Sequence, residues 1–595
     1  MAPQLFQSTF VGHIIRIVTK NKYLRYPEEI DINHAERYYN YEKTTNMARY
    51  GQTTRPTAKD GDDASETQQQ EKSVNDQSSG KSTPGPERAE SPLPMRDSES
   101  EHTHVPVERQ VSNVAGAPID AEKGRDLTVI DWDGPNDPEN PRNWSTGKKC
   151  FVTFLICILT TSVYIGSAIY TPGEKLVAAE FGVSDEVSIL GLCLFVAGYG
   201  LGPMVFAPMS EVPQFGRTPI YIITLFVFVV FQLGTAMAKN IGMLLAFRFL
   251  TGLFGSPVLA TGGATLADIF PPKKQAYAIS VWGMSAVAGP TLGPTVASFA
   301  VAAKGWRWSM WELMWLSGFS LVFLTFLLPE TSSANILYRK RNRIAKLTGN
   351  QDLTTEALLQ GENMTGKDIV LMVLVRPITL NFHEPMIFLL NLYIALIYAL
   401  LYCWFESFPI VFFEMYHFSY GVFGLSFLGI FVGALIVLPP FYAYLYFVQE
   451  KQFDANGNIQ PEKRLIPAMV GCFAVPICLF WFGWSAGRSH WIVPIIGSAW
   501  FAIGAFLLFN AVLSYLGDAY PDYVASVYAG NDLMRSSFGA GFPLFATQMY
   551  NRLGVGWASS LLGFLSIAFI PIPFILYKYG KTLRINHSKF ARKDI

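Results

Sequence analysis

Charge is scarce in this chain of 595 residues: 15% are Asp, Glu, Lys or Arg, where a soluble chain carries about a quarter. That is too little to coat soluble domains of this total length. Six cysteines exclude a disulfide-rich scaffold. Neither sign of charge is in excess, with 46 Lys+Arg against 46 Asp+Glu, so no global basic surface points to nucleic acid. His383, His417 and His490 are scattered, and no Cys or His spacing fits a metal site. No cofactor is expected. The Gly361–Asp368 stretch nearly fits a phosphate-binding loop, but Asp368 stands where Ser or Thr should meet magnesium and no buried strand precedes it. ATP binding is therefore not expected, and without a nucleophile–base constellation the chain does not read as an enzyme.

What is present divides sharply. Residues 1–147 are polar, and nearly everything after them is apolar. Between Gly51 and His104 the large apolar residues are Val74, Leu93 and Met95 alone, too few to offset the entropy of ordering, so the tail reads as largely disordered. Phe10 to Ile30 reads either as an amphipathic helix at a membrane surface or as a folded stub. No apolar run at residue 1 resembles a signal peptide, so the first membrane span is expected to direct insertion.

Twelve apolar stretches after Lys148 are long enough to cross a bilayer, each needing about 20 residues. They lie near 149–170, 186–208, 219–238, 241–266, 275–302, 308–328, 386–412, 421–448, 465–485, 491–517, 524–549 and 554–577. The long connections are 329–385 and 450–464. The chain thus reads as an all-α membrane protein: a tail (1–147), six spans (148–328), a central polar segment (329–385), six more spans (386–577) and a short tail (578–595). With the first tail in the cytosol, the inner loops hold about 19 Lys+Arg and the outer loops about six. Both termini are expected to be cytosolic, leaving the sequons at Asn143, Asn363 and Asn586 unused.

Ionisable residues inside membrane spans are functional candidates by default, because each costs about 2.5–3.5 kcal/mol at the bilayer centre. The chain has few: Arg248 in span 4, Glu406 in span 7, and Asp532 and Arg535 in span 11. Asp532 and Arg535 share a helix face and can pair. Arg248 has no carboxylate nearby on its own span. Glu406 precedes Pro409, so the helix is expected to be interrupted there, and a carboxyl in such surroundings can take up and return a proton. Glu312, near Arg307, reads as a solvated helix end.

Span 5 reads SVWGMSAVAGPTLGPTVASF. Its small residues permit close helix approach, and Pro290 and Pro294 should bend it. Here the sequence resembles the major facilitator superfamily. Gly289, Pro290 and Gly293, with Gly283 and Pro294 around them, match the motif that marks the superfamily's antiporter branch. Between spans 2 and 3, Glu211, Gly216 and Arg217 resemble the inner-loop motif. The family has Asp three residues before the Gly, whereas Glu211 precedes it by five. Asp268 matches the acidic partner that the family places at the inner end of span 4. Arg248 and Gly252 match a span 4 motif implicated in proton coupling. Asp131 to Ser145 and the Pro461, Glu462, Arg464, Leu465 element resemble features of fungal proton-coupled transporters that confer fluconazole, benomyl and cycloheximide resistance. Bacterial relatives often carry acidic residues in span 1, and Phe151 to Tyr170 has none, which raises the weight on Glu406.

The resemblance implies the major facilitator fold, twelve helices in two six-helix bundles, and export of small amphipathic compounds driven by protons. Arg248, Glu406, Asp532 and Arg535 are the candidate coupling residues. Glu211, Gly216, Arg217 and Asp268 form the candidate inner-loop relay. Tyr199, Tyr393, Tyr398, Trp404, Phe408, Phe506 and Phe509 are candidate walls of a midplane cavity, where stacking and burial bind varied substrates. A monomer in the plasma membrane, partnered only by lipid, protons and small molecules, is expected. The rivals are an uptake symporter for a nutrient or polyamine, and a membrane sensor signalling through Thr83-Pro and Ser91-Pro in the tail.

Overall fold

The computed structural model describes residues 6–30, Tyr38, 128–362, 371–455 and 457–593. The stretch expected to be disordered, 51–104, and most of the loop-like Gly361–Asp368 segment lie outside them. Eleven stretches among the described residues are long and apolar enough to cross a membrane. Ten of these are spans 1 to 10: Thr146–Phe181, Asp185–Glu211, Arg217–Ala236, Ile241–Ile269, Pro272–Lys304, Trp306–Leu327, Pro385–Met415, Tyr420–Gln452, Pro461–Ser485 and Ile492–Ala519. The last, Pro543–Asn586, is two legs rather than one, because Gly554 takes a non-helical backbone of φ 75° and ψ 156°. Glycine adopts that conformation without a Cβ penalty.

Side-chain pairing shows the reversal at Gly554. Before it, Asn531, Gly539 and Thr547 meet Asn391, Tyr398 and Glu406 in order, so this leg runs parallel to span 7. After it, Trp557, Phe564 and Phe574 meet Trp484, Phe480 and Phe473, so the chain runs back antiparallel to span 9. Span 11 is therefore Val524–Gly541 continued by 543–553, and span 12 is 555–569 continued by Pro571–Asn586. Asp532 and Arg535, with Asn531 and the serines and glycines around them, keep Val524–Gly541 from reading as apolar.

Helix packing repeats with an offset of six. Spans 1 and 5 pack together, as do 7 and 11; 2 with 4, as 8 with 10; 3 with 6, as 9 with 12. Across the two sets, span 2 meets span 11 and span 5 meets span 8. Both termini gather at one end, here the tail end, and the opposite end is the far end.

Span 5 remains a single helix, Pro272–Lys304, through Pro290 and Pro294, rather than breaking. Its small residues decide how near its neighbours come. A Cβ on Gly289 would lie 2.5 Å from Tyr164 Cβ and 3.0 Å from the Ile165 backbone nitrogen. A Cβ on Gly293 would lie 3.0 Å from the Ile165 carbonyl oxygen. Where span 5 crosses span 8, a Cβ on Gly424 would lie 2.7 Å from the Pro294 carbonyl oxygen. With lipid outside, such close packing rather than the hydrophobic effect holds helices together.

The central segment is more than a polar loop. It carries a helix at Ser333–Thr348, and Leu353–Thr354 pairs in parallel with Thr128–Val129. Basic residues on that helix collect the acids of the first tail: Arg343 bonds Glu28 at 2.5 Å and Glu139 at 3.1 Å, and Lys340 meets Asp133 and Asp137. Phe10–Val18 forms a helix whose Thr9 bridges to Pro329, which is the folded-stub alternative. Burial, reinforced by Arg339, Arg16 and Arg343, pushes the His13 imidazole down to about 4.

Replacing Gly289 by Leu should force spans 1 and 5 apart and cost about 1–3 kcal/mol, read as a lowered thermal midpoint in detergent. Gly318, which has open space where its Cβ would be, is the matched site on span 6. Equal destabilisation by Gly318→Leu would show that close packing at Gly289 is not the cause.

Candidate functional site

The inner-loop residues meet at the tail end. Arg217 Nε donates to Asp268 Oδ2 at 2.7 Å, joining the start of span 3 to the end of span 4. Glu211 is exposed and makes no hydrogen bond or ion pair among the described residues. The carboxylate that takes the expected place is Glu330, just after span 6. It accepts from the backbone N–H groups of Arg217, Thr218, Thr331 and Ser332 at 2.9–3.2 Å. Those N–H groups at the first turn of span 3 have no partner within the helix, and a carboxylate satisfies both them and the helix dipole. Gly216 is needed beside it: its φ is 75°, and a Cβ there would meet Asn335 Cγ at 2.7 Å and Glu330 Oε2 at 2.8 Å.

Arg248 is wholly buried inside the first six spans. Its Nε donates to Gly191 O at 2.8 Å, its Nη1 to Gly166 O at 2.8 Å and its Nη2 to Ser167 O at 3.3 Å. The guanidinium also lies over the rings of Tyr170 and Phe195. Each hydrogen bond to a charged group is worth about 1.5–3 kcal/mol, so carbonyls of spans 1 and 2 carry this cation without a carboxylate. The partners do come from other helices, but as backbone carbonyls, which no side chain in the sequence marks.

At the centre, Asp532 and Arg535 form a salt bridge one helical turn apart, with 3% and 2% of their surfaces exposed. Arg535 Nη2 reaches across to the Tyr164 hydroxyl on span 1 at 3.3 Å. The hydroxyls of Tyr199 on span 2 and Tyr398 on span 7 are 2.8 Å apart. Tyrosines from both six-span sets thus surround one buried ion pair. Asp532 Oδ2 and Arg535 Nε are buried without a hydrogen-bond partner, so the pair is not fully satisfied by its surroundings.

Beside it lies an apolar cavity of about 70 Å³ between spans 1 and 5 on one side and 7, 8, 10 and 11 on the other. Tyr398, Phe506 and Phe509 line it, as do Gly283 and Pro290 of the span 5 motif, with Tyr164, Asn510 and Arg535. Tyr199, Trp404, Phe408 and Tyr393 do not, Tyr199 lying behind it in its hydrogen bond to Tyr398. Trp404 packs on Phe482 and Phe501, Phe408 on Phe427 and Phe482, and Tyr393 on Phe569, all within the second six spans. Span 7 is apolar on every face, so its sequence does not say which ring faces which neighbour.

Glu406 faces a second and larger cavity of about 420 Å³ toward the far end. Thr547 donates to its Oε2 at 3.0 Å, while Oε1 has no partner. The helix of span 7 does change here: past Phe408 it widens through Pro409–Met415, and the Tyr416 N–H bonds the Val411 carbonyl five residues back at 3.1 Å. Glu174, absent from the sequence candidates, lines the same cavity. It sits in the last part of span 1, beyond the apolar stretch 149–170 and in what reads as a connection, and a short Thr171–Gly173 turn brings it to the cavity that span 7 also lines. It lies within electrostatic range of both Arg248 and Glu406. Arg307 does not pair with Glu312 either: it bonds Glu180 and the Ala238 carbonyl, and Glu312 is half-buried with one oxygen unpartnered.

The two sets of spans also meet at the tail end, where Glu450 Oε1 accepts from Lys274 Nζ and from the Tyr277 hydroxyl, each at 2.6 Å. This closure, and the exposed Lys175 and Glu414 that rim the larger cavity, together describe a molecule shut at the tail end, with acidic groups held toward the far end.

The Major Facilitator Superfamily model matches residues 156–543. Among curated proteins, the chain is 47% identical to the fission yeast (Schizosaccharomyces pombe) transporter mfs1, over 78% of this chain and 89% of that one. It is 44% identical to fluconazole resistance protein 1 of Saccharomyces cerevisiae, over 77% and 84%. It is 40% identical to the cycloheximide resistance protein of Candida maltosa, over 80% and 88%. Among solved structures, the proton:xylose symporter XylE aligns with a TM-score of 0.50 at 13% identity, over 73% of this chain and 96% of that one, a likeness of fold. The paired packing of spans 1 to 12 and the Gly-Pro motif of span 5 agree with these matches: the chain belongs to the Major Facilitator Superfamily of membrane transporters.

Proposed function

We propose that the protein exports small amphipathic or hydrophobic compounds by alternating access, driven by protons moving the other way. The observation that carries this reading is the apolar cavity between the two sets of six spans, walled by Tyr398, Phe506 and Phe509 and touching the Asp532–Arg535 pair. Aromatic walls without a fixed set of hydrogen-bond partners favour varied ligands over one metabolite. The names of the relatives, which include fluconazole and cycloheximide resistance proteins, support the same substrate class.

Coupling falls to Glu406. It is buried and only half satisfied by Thr547, and it belongs to a helix whose turn geometry changes at Pro409. Protonation removes a charge that is costly to keep from water, which favours the arrangement in which the carboxyl is enclosed. Deprotonation favours access to water. Arg248, held by carbonyls inside the first six spans, keeps spans 1 and 2 in register behind that site. Arg217, Asp268, Glu330 and Gly216 hold together the tail ends of spans 3, 4 and 6. The distribution of Lys and Arg among the loops supports the orientation with both termini in the cytosol, and a plasma-membrane location and a monomeric state complete the proposal.

The Glu406→Gln protein, reconstituted in liposomes, should still bind a hydrophobic drug but lose efflux driven by an imposed pH gradient. Unchanged pH dependence of efflux would overturn the assignment. Arg535→Ala leaves Asp532 buried without its partner and should cost about 3–5 kcal/mol of stability. Pairing it with Asp532→Asn should recover most of that loss but not transport. Full recovery of transport in the double variant would reduce the ion pair to a structural tie.

A further inference from the structure

We propose that the outer face of the helix Phe10–Val18, with the turn that follows it, docks on anionic phospholipids at the tail end and anchors the polar segments to the bilayer. The helix is folded onto the protein along one side only. On that side Gly12 and Arg16 are buried, and the helix touches spans 3 and 6. The opposite side carries Ile14, Ile17 and Val18, a stripe at helical spacing that stands exposed, Ile17 by 63% and Val18 by 75%. A surface helix in water turns such a stripe inward and its arginine outward. This one is inverted, so an apolar medium suits its outer face.

The stripe continues a surface that lipid already covers. The helix begins where span 6 ends: Thr9 bridges to Pro329, and the Glu330 N–H donates to the Ser8 carbonyl at 3.0 Å. On spans 3 and 6 the exposed side chains include Ile223, Phe226, Val322 and Phe326, which in a bilayer face acyl chains. The helix thus lies where the lipid-facing surface reaches the headgroup layer, the place of interfacial helices.

The charges decide which lipid. Past Val18 the chain turns sharply, and Lys20, Asn21 and Leu24 take φ of 51°, 61° and 56°, a conformation unfavourable to residues with a Cβ. Buried Arg16 holds the turn by donating to the Leu24 carbonyl and to both oxygens of Glu29, and Gln7 Nε2 adds a bond to the same carbonyl at 3.0 Å. The turn leaves Lys20, Lys22, Tyr23 and Arg25 exposed. None of these three cations is ion-paired among the described residues. The acids that follow do not offset them, because Arg16 takes Glu29 and Arg343 takes Glu28. An apolar stripe ending in unpaired cations and a tyrosine matches an interface of negative headgroups. A second copy docked symmetrically on this face would oppose the cations with its own. Arg343, which holds Glu28, also holds Glu139. Lipid bound here therefore fixes the helix after span 6 and the pre-membrane stretch against the membrane.

The test is amide hydrogen exchange across residues 10–25 of the unaltered full-length chain, held one copy per nanodisc. The discs contain phosphatidylcholine alone or phosphatidylcholine with an equal share of phosphatidylserine. Exchange should slow at least about fivefold with phosphatidylserine, and high salt should reverse the slowing. Lys20→Glu combined with Lys22→Glu should remove the difference between the two discs and leave exchange in the spans unchanged. Equal exchange of the unaltered chain in both discs would overturn the proposal, whatever the variant does. Slowing that needs two copies per disc, or an added soluble protein, would overturn it in favour of those occupants. The readout does not depend on transport, so its failure leaves the export reading standing.

Discussion

A charge taken out of water must be given partners by the protein, and the buried charges of this chain fall into groups according to how completely that is done. Arg248 is provided for entirely: three backbone carbonyls and two rings enclose it, all within the first six spans. Asp532 and Arg535 neutralise one another but borrow a hydroxyl from the opposite half and leave an oxygen and a nitrogen unpartnered. Glu174 and Glu406 are left short, each with an oxygen facing a cavity. Complete satisfaction fixes a structure, whereas an unsatisfied buried group leaves free energy for a ligand to supply. The gradient from Arg248 to Glu406 therefore runs from scaffold to site.

The same logic explains the polar segments at the tail end. Asp133, Asp137 and Glu139, in the stretch before span 1, are bound by Lys340 and Arg343 from the helix after span 6. Glu330, at the start of that segment, closes the first turn of span 3. The pre-membrane stretch and the central segment thus fold onto the first six spans. At the other tail, Arg584 bonds Glu462 at 3.0 Å, and Arg464 bonds Asp518 at 2.8 Å. The Pro-Glu-x-Arg-Leu element of the sequence is a pair of such ties, one to span 12 and one to span 10.

The spans were legible because lipid imposes long apolar runs, and the Gly-Pro motif was legible because close helix approach admits few residue types. Arg217 and Asp268 could be joined through a family pattern. Glu330 could not, since it lies 113 residues from the backbone it caps and nothing local marks it. Glu174 escaped notice because it sits in a connection, where carboxylates are ordinarily solvated. Only the Thr171–Gly173 turn within span 1 brings it to the cavity that Glu406 lines. Trp404, Phe408 and Tyr393 were read as cavity walls because an all-apolar helix has no hydrophobic face to orient it.

Span 5 constrains how the halves can move. Toward its middle it is fitted to span 1 without room for a Cβ at Gly289 or Gly293, and near its far end it is fitted to span 8 at Gly424. Thr295 adds a hydrogen bond to the Gly424 carbonyl at 2.8 Å. Its tail end is instead held to span 8 by Lys274, Tyr277 and Glu450, with Lys274 half exposed. That contact also includes the Tyr277–Tyr442 ring pair, the hydrogen bond from the Tyr442 hydroxyl to the Tyr277 carbonyl at 3.1 Å, and a buried cluster of Ala276 with Phe441 and Leu445. Opening at the tail end must part these side chains, while opening at the far end must separate the Gly424 backbone from Pro294 and Thr295. A charge change at Glu174 and Glu406, whose cavity Phe423 also lines, acts beside that same crossing.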